Sequence, residues 1–150
     1  MDLPESSAEL FMGDYEVEVR GRDFSLPGRL RENPHLKTRP SLFCFHDHSN
    51  QCLYFLPEDA SYQNPNLLAQ LAKDGKLLCG HIPVQADGHV KLPKTIVSHI
   101  FGCEDFHAHI EGLVSCFSLW SEREWNYVVD DYRHMSDGSR RRRFLHHEAA

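Results

Sequence analysis

The stretch Ser41-Leu42-Phe43-Cys44-Phe45, followed by His46-Asp47-His48-Ser49-Asn50-Gln51 and then Cys52-Leu53-Tyr54-Phe55-Leu56, decides the fold class. Each apolar run is too short for a helix, rich in aromatic and aliphatic side chains, and nearly unbroken by polar residues. That is the pattern of a strand buried on both faces. The six polar residues between the runs predict a hairpin or turn held by core on either side.

Upstream, residues 14–21 alternate Tyr15, Val17 and Val19 with Glu16, Glu18 and Arg20, which predicts a half-solvated outer strand. Residues 22–40 contain Pro27, Gly28, Pro34 and Pro40 and read as an extended connection with at most a short strand. Downstream, Pro57 stops the second run, and Asn64-Pro65-Asn66 opens a helix over 65–73 that ends at Gly75. Residues 76–85 and 89–92 flank Asp87-Gly88 and predict two strands of a tight hairpin. The apolar stretches 95–101 and 106–119 predict further strands, with a turn over 102–105. Ser121 and Glu124 form an S-x-x-E capping box for a helix over 121–135 whose apolar face includes Trp125, Val128, Val129 and Tyr132.

No repeat is evident at any period. The expectation is a single α+β domain over 1–135, an antiparallel sheet with two main helices, and a basic, mobile tail over 136–150. The tail carries Arg140 to Arg143, read as a solvated run or as a patch for nuclear import or an acidic partner.

Composition narrows the function. With 150 residues, 41% hydrophobic and 25% charged, the chain matches a globular domain, and no apolar run reaches the roughly 18 residues of a spanning helix. Sixteen Lys plus Arg against 22 Asp plus Glu leave a net charge of −6, which argues against nucleic acid as a partner. The first residues lack a signal-peptide pattern, so the expected location is cytoplasmic. Five cysteines without a C-x-x-C pair fit neither a disulfide framework nor a zinc finger.

Two constellations could carry chemistry. In the first, His46 or His48 could lower the pKa of Cys52 and make it a nucleophile, with Asn50 donating to an oxyanion. The competing reading is an inert core thiol, since free cysteine is among the most buried residue types. In the second, His107, His109 and Glu111 alternate on a strand and share a face, with His99 near by. Two imidazoles and a carboxylate could hold zinc or iron, although a polar strand face needs no metal. The same His-x-His with Tyr127 or Tyr132 has the residue types of a metal-dependent strand-nicking site, which the net charge disfavours.

The segment from about Val17 to Lys73 resembles the active-site region of ubiquitin-conjugating (E2-like) proteins of the divergent bacterial type. Pro40-Ser41-Leu42-Phe43 stands as the strand, His46 or His48 with Asn50 as the turn, Cys52-Leu53-Tyr54 as the nucleophile segment, and residues 65–73 as the helix. The His-Pro-Asn triplet is absent, and the histidine-to-cysteine gap is shorter than in that family. The resemblance implies a transferase that takes a ubiquitin-like modifier from an activating enzyme as a thioester on Cys52 and passes it to an amine. The alternatives are a non-catalytic binding or regulatory module, or a metal-dependent enzyme using His107, His109 and Glu111.

Overall fold

The computed structural model describes residues 10–47 and 49–133. Among the described residues, eight strands form two sheets. A six-stranded antiparallel sheet has the order β1-β7-β8-β4-β3-β5, made of β1 (Asp14–Val19), β3 (Ser41–Asp47), β4 (Cys52–Pro57), β5 (Lys76–Pro83), β7 (Phe106–Gly112) and β8 (Phe117–Ser121). A two-stranded ribbon pairs β2 (Asp23–Ser25) with β6 (His89–Lys91). The helices are α1 (Gly28–Arg31), α2 (Pro34–Thr38), α3 (Glu58–Gln63), α4 (Asn66–Lys73), α5 (Lys94–Ile96), which continues as a π-helical turn (Val97–Phe101), and α6 (Glu122–Arg133). The α+β class and the single antiparallel main sheet are as expected. The segment 136–150 lies outside the described residues.

The sheet separates two apolar clusters, giving three layers. On one face Leu42, Cys44, Leu53, Phe55, Phe117 and Leu119 pack against the β2–β6 ribbon, α1, α2 and the π turn. On the other, Phe45, Cys52, Tyr54, Leu56 and Trp120 meet α3, α4 and α6. Burial on both faces explains why β4 is apolar throughout and why every one of its residues is buried.

Three sequence expectations are corrected. Residues 95–101 are helical, not a strand. Ile96, Val97, Ile100 and Phe101 face the core at i, i+1, i+4 and i+5, and Pro93 sits at the N-cap, so the helical period was present beneath the β-favouring composition. Residues 22–40 are not merely extended, because β2, α1 and α2 lie there, with the Asn33 side chain accepting from the His35 N–H at 2.9 Å to start α2. The strands flanking Asp87-Gly88 do not form one ladder. The turn closes, with Gly88 N–H to Gln85 O at 2.8 Å, but β5 goes to the large sheet and β6 to the ribbon.

The fourth correction concerns symmetry. The main-sheet order is unchanged when it is reversed and β1 is exchanged with β5, β3 with β7 and β4 with β8. The chain therefore holds two copies of a β-β-α-β-β-α unit. Asp23 and His89 are 66 residues apart, as are Phe24 and Val90, Leu26 and Leu92, and Pro27 and Pro93. The correspondence is literal at the ribbon: Leu26 N–H donates to Gly88 O at 2.9 Å, and Leu92 N–H donates to Arg22 O at 2.8 Å. Arg22 (φ +68°) and Gly88 (φ +87°) occupy equivalent left-handed positions. Gly88 reaches this conformation freely, whereas the Arg22 guanidinium is bound to Leu92 O at 2.9 Å and its N–H to Glu104 O at 3.0 Å. The pseudo-two-fold passes through the Phe24–Val90 and Tyr54–Ser118 pairs.

The units are interlocked. First-unit β1 pairs with second-unit β7, second-unit β5 pairs with first-unit β3, and the ribbon takes one strand from each. Phe24 is buried at this junction, 6.2 Å from the Phe55 ring. Phe24→Ala is expected to cost about 3–5 kcal/mol in urea unfolding. Leu77→Ala, at a position 60% exposed, should stay within about 0.5 kcal/mol of wild type. Equal effects at the two positions would contradict this packing.

Candidate functional site

The turn after β3 is built around Asp47. Its carboxylate accepts the Ser49 N–H at 3.0 Å and the Asn50 side-chain amide at 2.8 Å, and it lies 3.6 Å from the Lys76 ammonium. Gln51, at φ +54°, closes the turn, and its N–H reaches Asp47 O at 3.1 Å. Lys76 is buried, with its ammonium 5.0 Å from the Tyr54 ring centroid, so its charge is met by a carboxylate and an aromatic face in place of water.

Cys52 lies inside this arrangement, not at its rim. It is 0% exposed, and its thiol lies 4.0 Å from Asp47 Oδ2. Burial pushes the thiol well above its ordinary range, the Asp47 charge adds to this, and Lys76 opposes it. The sequence reading expected an accessible thiol lowered by an imidazole, and the structure encloses a thiol raised by its surroundings. His46 lies on the other side of the sheet, its ring 6.3 Å from that of His99 on the π turn. His48 lies outside the described residues. Asn50 is bound to Asp47, so the structure brings Asp47, Asn50 and Cys52 together and leaves His46 apart. Cys116, in the same cluster, is likewise pushed up by burial, to about 12.

His107, His109 and Glu111 do alternate on one face of β7, in register with Glu18, Glu16 and Asp14 of β1. Their neighbours differ: His107 Nδ1 lies 3.6 Å from Glu18, and the His109 ring stacks on Trp125 at 5.2 Å and 10°. Among the described residues, no group of three His, Cys, Asp or Glu side chains is placed to hold a metal ion. His99 sits on the π turn against His46, not on a strand beside β7. Tyr127 is exposed, and the side chain of Tyr132 lies outside the described residues.

A polar cluster that the sequence reading did not single out surrounds Glu58 at the start of α3. Its carboxylate accepts from Tyr62 and His81 and lies 3.7 Å from Arg39, and Ser41 Oγ stands 2.6 Å from His81 Nε2. The Tyr62 hydroxyl above all, with His81 and Ser41, holds this carboxyl below its ordinary range against the opposing effect of desolvation. Serine, histidine and carboxylate are all present, but Ser41 and Glu58 both address the same nitrogen, Nε2. A hydrolase relay needs the acid on Nδ1, so this set cannot pass a proton along the ring.

Charge follows the layers. Residues 20–38 and 87–105, which build the ribbon layer, hold seven Lys or Arg and five Asp or Glu, and Arg39 turns to Glu58 and Tyr62 of the helical layer. Residues 58–74 and 122–130, which build the helical layer, hold two Lys or Arg and six Asp or Glu. Arg29, Arg31, Lys37, Lys91 and Lys94 are exposed on the ribbon layer. The sequence-wide charge of −6 thus conceals two faces of opposite sign.

No protein-family model matches the chain, and no curated protein matches it.

Two outcomes are expected at the Asp47 turn. Iodoacetamide on the folded protein should label exposed Cys103 and leave Cys52 and Cys116 unlabelled until denaturant is added, as peptide mass mapping would show. Labelling of Cys52 at the Cys103 rate would mean an accessible thiol. Asp47→Ala should cost about 3–5 kcal/mol by stranding the buried Lys76 charge, and Lys76→Met should recover part of that loss in the double variant. Strictly additive effects in denaturant unfolding would contradict the pair.

Proposed function

We propose that the protein is a non-catalytic binding module that presents its ribbon layer to duplex nucleic acid. The observation that carries the reading is the segregation of positive charge onto the layer built around the pseudo-two-fold. A polyanion is attracted to a face with a net excess of cations and repelled by the acidic helical layer, so the charge pattern orients the encounter as well as favouring it. Duplex nucleic acid has dyad axes of its own, which an acidic peptide lacks, and a two-fold ribbon can present equivalent backbone groups to both strands. The net charge weighs against tight non-specific binding. It bears less on a partner that meets one face only, because screening limits exposed charges to about 8–10 Å at physiological salt.

A thioester carrier of the E2-like kind rests on Cys52 alone. An enclosed thiol beside a carboxylate lends it no support, and neither does an asparagine already bound to that carboxylate.

Fluorescence anisotropy with a labelled duplex at low salt tests the binding reading. Binding is expected to weaken as salt rises, and Arg29→Glu combined with Lys94→Glu should abolish it, while Lys73→Glu on the helical layer leaves it within about two-fold. Absence of duplex binding at low salt overturns the proposal. So does binding indifferent to the Arg29 and Lys94 changes, or binding of an acidic polypeptide on this face with none of the duplex.

A further inference from the structure

The thiols of Cys44 and Cys79 meet across the β3–β5 pair, with their sulfur atoms 3.6 Å apart. Their approach is produced by an irregularity in the ladder. Cys44 pairs with Gly80 and Phe45 with Leu78, so Cys79 has no residue opposite it and is the extra residue of a β-bulge. Gly80, in register with Cys44, would by simple alternation share its face and leave Cys79 on the other. The bulge instead re-aims Cys79, so that its side chain packs with the Cys44 cluster and its thiol lies 3.4 Å from Cys44 O.

The two sulfurs have different access. Cys44 is 0% exposed, whereas Cys79 is only partly covered, on a strand at the edge of the sheet beside the exposed Leu77 and Leu78. The outer thiol is also the more acidic of the pair. The contact between the sulfurs lowers Cys79 and raises Cys44, so the outer thiol gives up its proton before the inner one.

We propose that Cys44 and Cys79 form an oxidation site for hydroperoxides, closing to a disulfide that bridges the bulge between β3 and β5. The Cys79 thiolate attacks one peroxide oxygen and the O–O bond breaks. The sulfur is oxidised to a sulfenic acid, and the other oxygen leaves as hydroxide and takes up a proton. Cys44 then loses its proton, and its sulfur attacks the Cys79 sulfur. The S–O bond breaks, and hydroxide leaves with that proton as water. In sum, two thiols and one hydrogen peroxide give one disulfide and two waters. The sulfurs must close from 3.6 Å to about 2.05 Å, a movement that the irregular ladder at the bulge accommodates better than two fully paired strands would.

The bridge would join the two interlocked units covalently, since β3 belongs to the first and β5 to the second. It lies under the ribbon layer but uses no residue of that layer or of the Asp47 turn, so it stands independently of the binding function proposed above.

The test treats the folded full chain with hydrogen peroxide, blocks remaining thiols with N-ethylmaleimide and maps peptides by mass spectrometry. The expected product is an intramolecular Cys44–Cys79 cross-link, reversed by dithiothreitol, and formed at an unchanged rate in Cys103→Ser. Cys79→Ser should abolish it. Cys44→Ser should abolish it too and let a dimedone adduct build up on Cys79, which also identifies the attacking sulfur. Circular dichroism of each variant establishes that it is folded. Oxidation confined to Cys103, a cross-link between other cysteines, or no reaction at Cys79 in the folded wild-type chain overturns the proposal.

Discussion

Neither unit of this protein can complete its own sheet. The β3–β4 hairpin takes its outer neighbour from the second unit and the β7–β8 hairpin takes its outer neighbour from the first, while the ribbon needs one strand of each. Backbone groups along a strand must be paired or solvated, so a unit folded alone would bare the ladder positions that its partner fills. The exchange makes one cooperative domain of two similar halves. It also concentrates burial at the centre, where β4 and β8 meet through Leu53–Leu119, Tyr54–Ser118 and Phe55–Phe117. The aromatic contacts there, with Phe55 stacked on Phe117 at 5.1 Å, tie the halves from within the core.

The polar density between β3 and β4 follows from the same constraint. The hairpin must turn within the helical layer's cluster, and β5 must start against it, so a carboxylate and an ammonium end up buried together. Asp47 gathers the donors of the turn, and Lys76, the first residue of a second-unit strand, supplies the counter-charge. Such a pair contributes little net stability because both ions are desolvated, but it punishes any register in which one loses the other. A turn rich in His, Asp, Asn and Cys reads like catalytic chemistry in one dimension. In three dimensions Asp47 binds Asn50 beside Cys52, while His46 faces the other side of the sheet.

What was legible in the sequence was whatever depends on local pattern. The apolar runs at 41–45 and 52–56 are strands, and α4 matches the segment expected over 65–73. The Ser121 half of the capping box is present, with Glu124 N–H bound to Ser121 Oγ at 3.2 Å. Residues 95–101 were misread because Ile, Val and Phe favour strands, while the spacing of their buried members obeys the helical period set by Pro93. The repeat was hidden because its identity survives in little more than the Leu-Pro pairs at 26–27 and 92–93, the rest of it lying in the order of elements. Its left-handed position is filled by arginine in one half and glycine in the other. Burial of Cys52 depends on α3, α4 and α6 covering the far face of the sheet, and the meeting of Cys44 with Cys79 depends on a one-residue bulge. Both are long-range facts that no window of sequence contains. The net charge is a related case, since a single value averages over layers of different sign.

Native-state hydrogen exchange tests the interlocked architecture most directly, because it measures the opening free energy of each half within the intact chain. Leu26 and Leu92, whose N–H groups make equivalent bonds across the ribbon, should exchange with the same free energy as the β4–β8 ladder, within about 0.5 kcal/mol, since all open only when the whole domain unfolds. One half exchanging by an opening of clearly lower free energy, while the other stays protected, would contradict the account.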